Sequence, residues 1–201
     1  MQVVGMVSTD SIFYNPRNKR EEVAAVRAKF VSQEGDHLTL LAVLRAYLQV
    51  PRKQQANWAS DNFVNLRSVR KALDIYHQLE GHLAALDVPI KSCGADPAPL
   101  QRALVSGLFP HAARRQPDGG YRVIATGQLV HLHPSSVLCG KRPECVVFNE
   151  LVRTTKQYAR EACRIEPAWL PELAPAFFAA KAGAAAGAVE QRAGPGGGGA
   201  G

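Results

Sequence analysis

Apolar residues recur at helical spacing through the first half of the chain and at strand spacing through most of the second. Val23, Val26 and Phe30 fall three and four apart within residues 17–31, between Glu21, Glu22, Arg27 and Lys29. That spacing predicts an amphipathic helix with a solvated charged face. Pro16 ends any regular structure in the short apolar start before it. From residue 36, Leu38, Leu41, Leu44 and Leu48 form the stripe of a second helix, which Pro51 breaks. Asp36 stands at its start, where a carboxylate caps first-turn N–H groups, and His37 beside it reads as structural. Two further helices are expected near 55–64 and 66–86. The second carries Leu66, Val69, Leu73, Tyr76, Leu79 and Leu83 on one side and Arg67, Arg70 and Lys71 on the other, a basic face read as solvated.

Residues 87–97 are rich in turn formers and mark a boundary. Residues 98–108 predict one more helix, after which the period shortens. FPHAARRQ, YRVIAT and QLVHLH are separated by Asp118-Gly119-Gly120 and Thr126-Gly127, and His133-Pro134-Ser135-Ser136 follows them. DGG between two strand candidates is a hairpin signal. Pro110, inside the first of these strands, confines that part to an edge or bulge. Cys145 to Phe148 opens another strand, and a second follows after Thr154-Thr155-Lys156. Pro167 then starts a short helix that closes before Pro175. The expected class is α+β: a helical bundle over 1–97, a small antiparallel barrel over 98–178, and a tail over 179–201. That tail has eight glycines and only Lys181, Glu190 and Arg192 charged, so it is expected to be disordered.

Charge sharpens this division. The 201 residues carry a net +7. Residues 1–99 hold twelve Lys/Arg against ten Asp/Glu, and residues 100–178 hold ten against six. The excess sits on the barrel and permits a polyanionic partner. No run of roughly 18 apolar residues predicts a membrane span, and the first residues lack the pattern of a signal peptide. Cys93, Cys139, Cys145 and Cys163 form no C-x-x-C pair and read as free thiols. His131 and His133 share one side of a strand, but with His111 they find no third metal ligand, so a structural or base-stacking role is preferred. A phosphate loop of the form G-x-x-x-x-G-K-[ST] is absent from this sequence. Binding chemistry remains. Arg114, Arg115, Arg122, Lys156 and Arg160 suit phosphates, Tyr121 suits base stacking, and Thr154 and Thr155 offer hydroxyls to a backbone.

The run from Glu144 to Phe178 is more specific than its parts. Glu150-Leu151-Val152, Thr154-Thr155-Lys156, Tyr158 and Arg160 are followed by Ile165, Pro167, Trp169-Leu170, Glu172, Ala174-Pro175 and Phe177-Phe178. This string resembles the oligonucleotide-binding (OB-type) fold that closes DEAH-box RNA helicases of the pre-mRNA-splicing type. Gly35-Asp36-His37-Leu38, Trp58, Asp61-Asn62-Phe63 and Arg67-Ser68 resemble the end of their helical ratchet bundle. Ile12-Phe13-Tyr14 and Pro16 match the segment that enters it. Ala112-Ala113-Arg114 and Gly120-Tyr121-Arg122 match within the barrel. The chain departs at Ala59 and Cys145, where the family commonly has cysteine and tryptophan, and at Pro110. The resemblance implies a C-terminal module that lines a single-stranded RNA channel, in the nucleus, within the spliceosome. The family's ATP and Mg2+ belong to RecA-like domains that this chain lacks, so no cofactor is expected here and the chain alone is expected to be inactive. Single-stranded RNA, those RecA-like domains and glycine-patch activator proteins are the implied partners, with no membrane. The alternative is a protein-interaction module that docks helicase cofactors without RNA affinity of its own.

Overall fold

The structure, a computed structural model, describes residues 1–179; the expected disordered tail lies, but for Ala179, outside the described residues. Five helices come first: α1 (Gln2–Val7), α2 (Arg20–Ala28), α3 (Asp36–Gln49), α4 (Gln55–Asp61) and α5 (Leu66–Ala85). Then follow α6 (Ala98–Leu108), strands β1 (Ala112–Arg115), β2 (Tyr121–Val123), β3 (Leu129–Leu132), β4 (Cys145–Arg153) and β5 (Gln157–Arg164), and α7 (Trp169–Leu173). No described helix is long and apolar enough to cross a membrane.

The helices close around Met6, Ile12, Leu40, Leu44, Tyr47, Val64, Val69 and Ala72. Gly5 lets α1 lie directly on α5, since a Cβ there would collide with the Ala72 carbonyl. Ala59 is buried in this core. α5 is capped by Asn65, whose Oδ1 accepts from the N–H groups of Arg67 at 3.1 Å and Ser68 at 3.3 Å. Its buried positions are confined to the first two turns, at Ser68, Val69 and Ala72. Leu79 and Leu83, on the apolar side of this helix, are only half-buried, and Leu86 beyond them is 70% exposed.

Two expectations about α3 are corrected. Its packed face is His37, Leu40, Leu41, Val43, Leu44 and Tyr47, wider than a stripe, because the helix meets the bundle on one side and the barrel on the other. Leu48 falls beside that face and is exposed. Asp36 is not the cap residue. Gly35 takes that position with φ 128°, where a Cβ would strike the Ala162 carbonyl. The Asp36 carboxylate instead reaches the barrel, accepting from the N–H groups of Val137 and Ala162, each at 2.8 Å.

The five strands form a closed barrel in the order β1-β2-β3-β5-β4. All neighbours are antiparallel except β3 and β5, whose parallel pairing closes the ring. The Gln116–Gly120 turn joins β1 to β2, and Gly119 adopts φ 84° there. Pro110 stands outside the strand: Phe109–His111 make a 3-10 turn, and β1 begins after it, so no ladder bond is lost. Val123, Val130, Val146, Phe148, Ala159 and Ala162 fill the interior. Outside, α6 and α7 cover Ala112, Cys145, Val147 and Cys163. Gln101 on α6 ties the units together, donating at 2.8 Å to both Glu34 and the Arg164 carbonyl. Burial pushes the Cys145 and Cys163 thiols up to about 11 and about 12. Cys139 is exposed, and all four thiols are free.

Candidate nucleic-acid interface

Strand alternation decides which candidate residues are available. In β1 and β2, Ala113 and Val123 point inward, so Arg114 and Arg122 point out, directly opposite each other in the register. Like charges placed so are destabilising unless something neutralises them. Arg122 pairs onward with Leu129 of β3, and its guanidinium donates to the Gly127 carbonyl at 2.9 Å, over the β2–β3 turn. Gln128 of that turn hydrogen-bonds Gln157 at the start of β5. Gln157 is the cross-strand partner of Arg153 and follows Lys156. Arg114, Arg122, Arg153 and Lys156 are thereby linked into one arc through the β2–β3 and β4–β5 turns, while Arg115, the register partner of Tyr121, alternates to the other side of β1 and is exposed at its end.

Thr154, Thr155 and Lys156 are exposed in the β4–β5 turn, which the Thr154 N–H closes onto the Lys156 carbonyl at 3.0 Å. Among the described residues, none of Arg114, Arg115, Arg122, Arg153 and Lys156 lies within ion-pair distance of a carboxylate. Three other barrel cations differ. Arg102 bonds Glu172, and Arg164 lies 3.5 Å from Glu34. Arg160 is a candidate of this second kind: Glu150 holds it at 3.0 Å across β4–β5. Both line a groove of about 510 Å3 between the barrel and the helical unit.

Tyr121 is corrected outright. It is 2% exposed, its ring fills the barrel interior, and its hydroxyl donates to the Pro143 carbonyl at 2.8 Å. Burial raises its pKa to about 12. The glycine-flanked aromatic looked like a platform in sequence, but period-two alternation sends it inward with Val123. Arg153 was missed for a converse reason: it stands one residue before the Thr-Thr-Lys turn, and only the register pairs it with Gln157. Among the described residues no three of His, Cys, Asp and Glu converge as metal ligands.

Comparison with known proteins matches this geometry. A family model for the oligonucleotide/oligosaccharide-binding (OB) fold covers residues 100–177. The chain is 42% identical over 187 residues to the pre-mRNA-splicing factor ATP-dependent RNA helicase DEAH10 of Arabidopsis thaliana, covering 87% of this chain and 26% of that protein. It is 40% identical over 181 residues to the human ATP-dependent RNA helicase DHX33, covering 90% and 25%. With the probable ATP-dependent RNA helicase DHX35 of Pongo abelii the identity is 38% over 179 residues, covering 89% and 25%. The chain thus spans about a quarter of the length of these relatives. A helical unit joined to a closed OB barrel, at this identity over most of the chain, makes it a homologue of the DEAH-box RNA helicases over about a quarter of their length, as a C-terminal fragment of one would be.

Proposed function

We propose that this chain is the RNA-binding C-terminal module of an ATP-dependent RNA helicase acting in pre-mRNA splicing, and hence in the nucleus. The observation that carries the reading is the set Arg114, Arg115, Arg122, Arg153 and Lys156, all exposed on the barrel and, among the described residues, without carboxylate partners, whereas Arg102, Arg160 and Arg164 have them. Cations facing solvent on an OB barrel suit the phosphates of a single strand, and Thr154 and Thr155 add hydroxyls to the same edge. ATP and Mg2+ would be handled by the RecA-like domains of such a helicase, and this module would hold the strand while they cycle. A labelled single-stranded RNA titrated with the chain at several salt concentrations tests the reading. Saturable binding that weakens steeply with salt, whatever the sequence, is the expected result. Absence of binding at low salt from a folded sample contradicts it.

One feature favours the alternative of a protein-docking module. Leu86, Val88 and Ile90 are exposed in succession after α5, as a surface awaiting a protein partner would be. In that reading the chain binds other helicase domains or glycine-patch activators and shows no RNA affinity.

A further inference from the structure

Tyr158 lies on β5 between the turn that carries Lys156 and the strand position of Arg160. Two strand residues advance about 6.8 Å, so a cation stands roughly that far to either side of it. Its register partners are His131 on β3 and Val152 on β4. The His131 ring is 6.3 Å away at 53°, and the His133 ring is 5.7 Å away at 80°. His133 is oriented from behind. Its Nδ1 lies 2.7 Å from the Ser135 hydroxyl and 3.2 Å from the Ser135 N–H. An N–H only donates, so Nδ1 accepts and the neutral ring carries its proton on Nε2.

All three rings are half-buried, while the neighbouring Leu132 and Ala159 turn inward to the barrel core. A second aromatic contact of the barrel shows what a closed stack looks like. His111 lies flat on Phe148 at 5.1 Å and 7°, against a ring with no exposure at all. Neither histidine lies flat on Tyr158, so no parallel stack between these rings covers a face of the tyrosine.

We propose that Tyr158, with His131 and His133, forms a stacking platform for an unpaired nucleobase of the strand whose phosphates the arginine–lysine arc holds. This rests on the reading of the chain as a single-strand RNA binder. An OB barrel gains affinity from base–aromatic stacking without reading sequence, because every base has a π-face. The platform lies on β5 two residues from Lys156, and its cross-strand partner Val152 precedes Arg153.

The test compares the whole chain with its Tyr158→Ala and Tyr158→Phe variants on two ligands: a single-stranded RNA, and an abasic ribose-phosphate strand of equal length. On RNA, Tyr158→Ala is expected to weaken binding about ten-fold, whereas Tyr158→Phe stays within about two-fold. On the abasic strand all three proteins bind alike, and the salt dependence is the same for all. Unchanged RNA binding by Tyr158→Ala, with the wild type binding normally, overturns the platform and leaves the RNA-binding reading standing. Equal loss on both strands also overturns it, since the tyrosine would then act on the fold. A wild-type chain that binds neither strand removes both.

Discussion

Asp36 holds two barrel N–H groups, and the adjacent His37 holds nothing: both its ring nitrogens are buried without a partner. Each has a measurable consequence. Asp36→Asn turns one acceptor oxygen into a donor facing a buried N–H, a loss of about 2 kcal/mol in urea denaturation. An unchanged denaturation midpoint would show that the clamp between α3 and the barrel is dispensable. Burial lowers the His37 pKa from 6.5 to about 4. The unfolded chain therefore takes up this proton first, and stability falls as the pH drops from about 6.5 towards 4, by about 3 kcal/mol. Asp36 and Glu161, whose pKa values burial raises, act in the opposite direction. Comparison with His37→Leu isolates the histidine: the difference between pH 7 and pH 5 should shrink in the variant. Equal differences would mean that His37 is solvated in the fold. Tyr121→Phe loses only the bond to the Pro143 carbonyl, about 1 kcal/mol, and leaves RNA affinity unchanged; weaker RNA binding would return the residue to the interface.

At the scale of elements, what was legible in sequence was what local periodicity controls. The helices from α2 to α6, the DGG turn and the β4–β5–α7 succession follow from spacing and from proline and glycine placement. Tertiary facts were not legible. Leu48 and Leu83 fit a helical stripe as well as Leu44 and Val69 do, and nothing in α3 or α5 says where the neighbouring helix ends. Asp36 has the residue type and position of a cap, but its partners are about a hundred residues away. The true cap of α5, Asn65, sits one residue before Leu66 in a position that pattern alone allows. Asn65→Ala should cost about 1 kcal/mol in urea denaturation, and a value near zero would mean that water caps the helix equally well. The candidate site was half legible. Its exposed arginines and the Thr-Thr-Lys turn were named from chemistry, but Tyr121 inside, Arg160 paired and Arg153 adjacent required the register of the barrel.

Over the whole molecule, a modest net charge is organised rather than spread. The helical unit nearly balances its charges, and the barrel pairs three of its cations while leaving others unpaired, those of one edge among them. That edge runs from the β1–β2 face to the β4–β5 turn, joined through Gln128 and Gln157. The exposed cations Arg67 and Arg70 on α5 provide the internal control, being equal in charge and remote in sequence from the arc. The decisive measurement is the salt dependence of single-stranded RNA binding in three proteins: the wild type, Arg122→Ser with Lys156→Ser, and Arg67→Ser with Arg70→Ser. Each phosphate contact contributes about 0.7 to the slope of log affinity against log salt. The arc variant should therefore lose about 1.4 units of slope, and the α5 variant should keep the wild-type value. Equal slopes for the arc variant and the wild type, or the larger loss in the α5 variant, would contradict the assignment of the RNA-binding edge to the barrel.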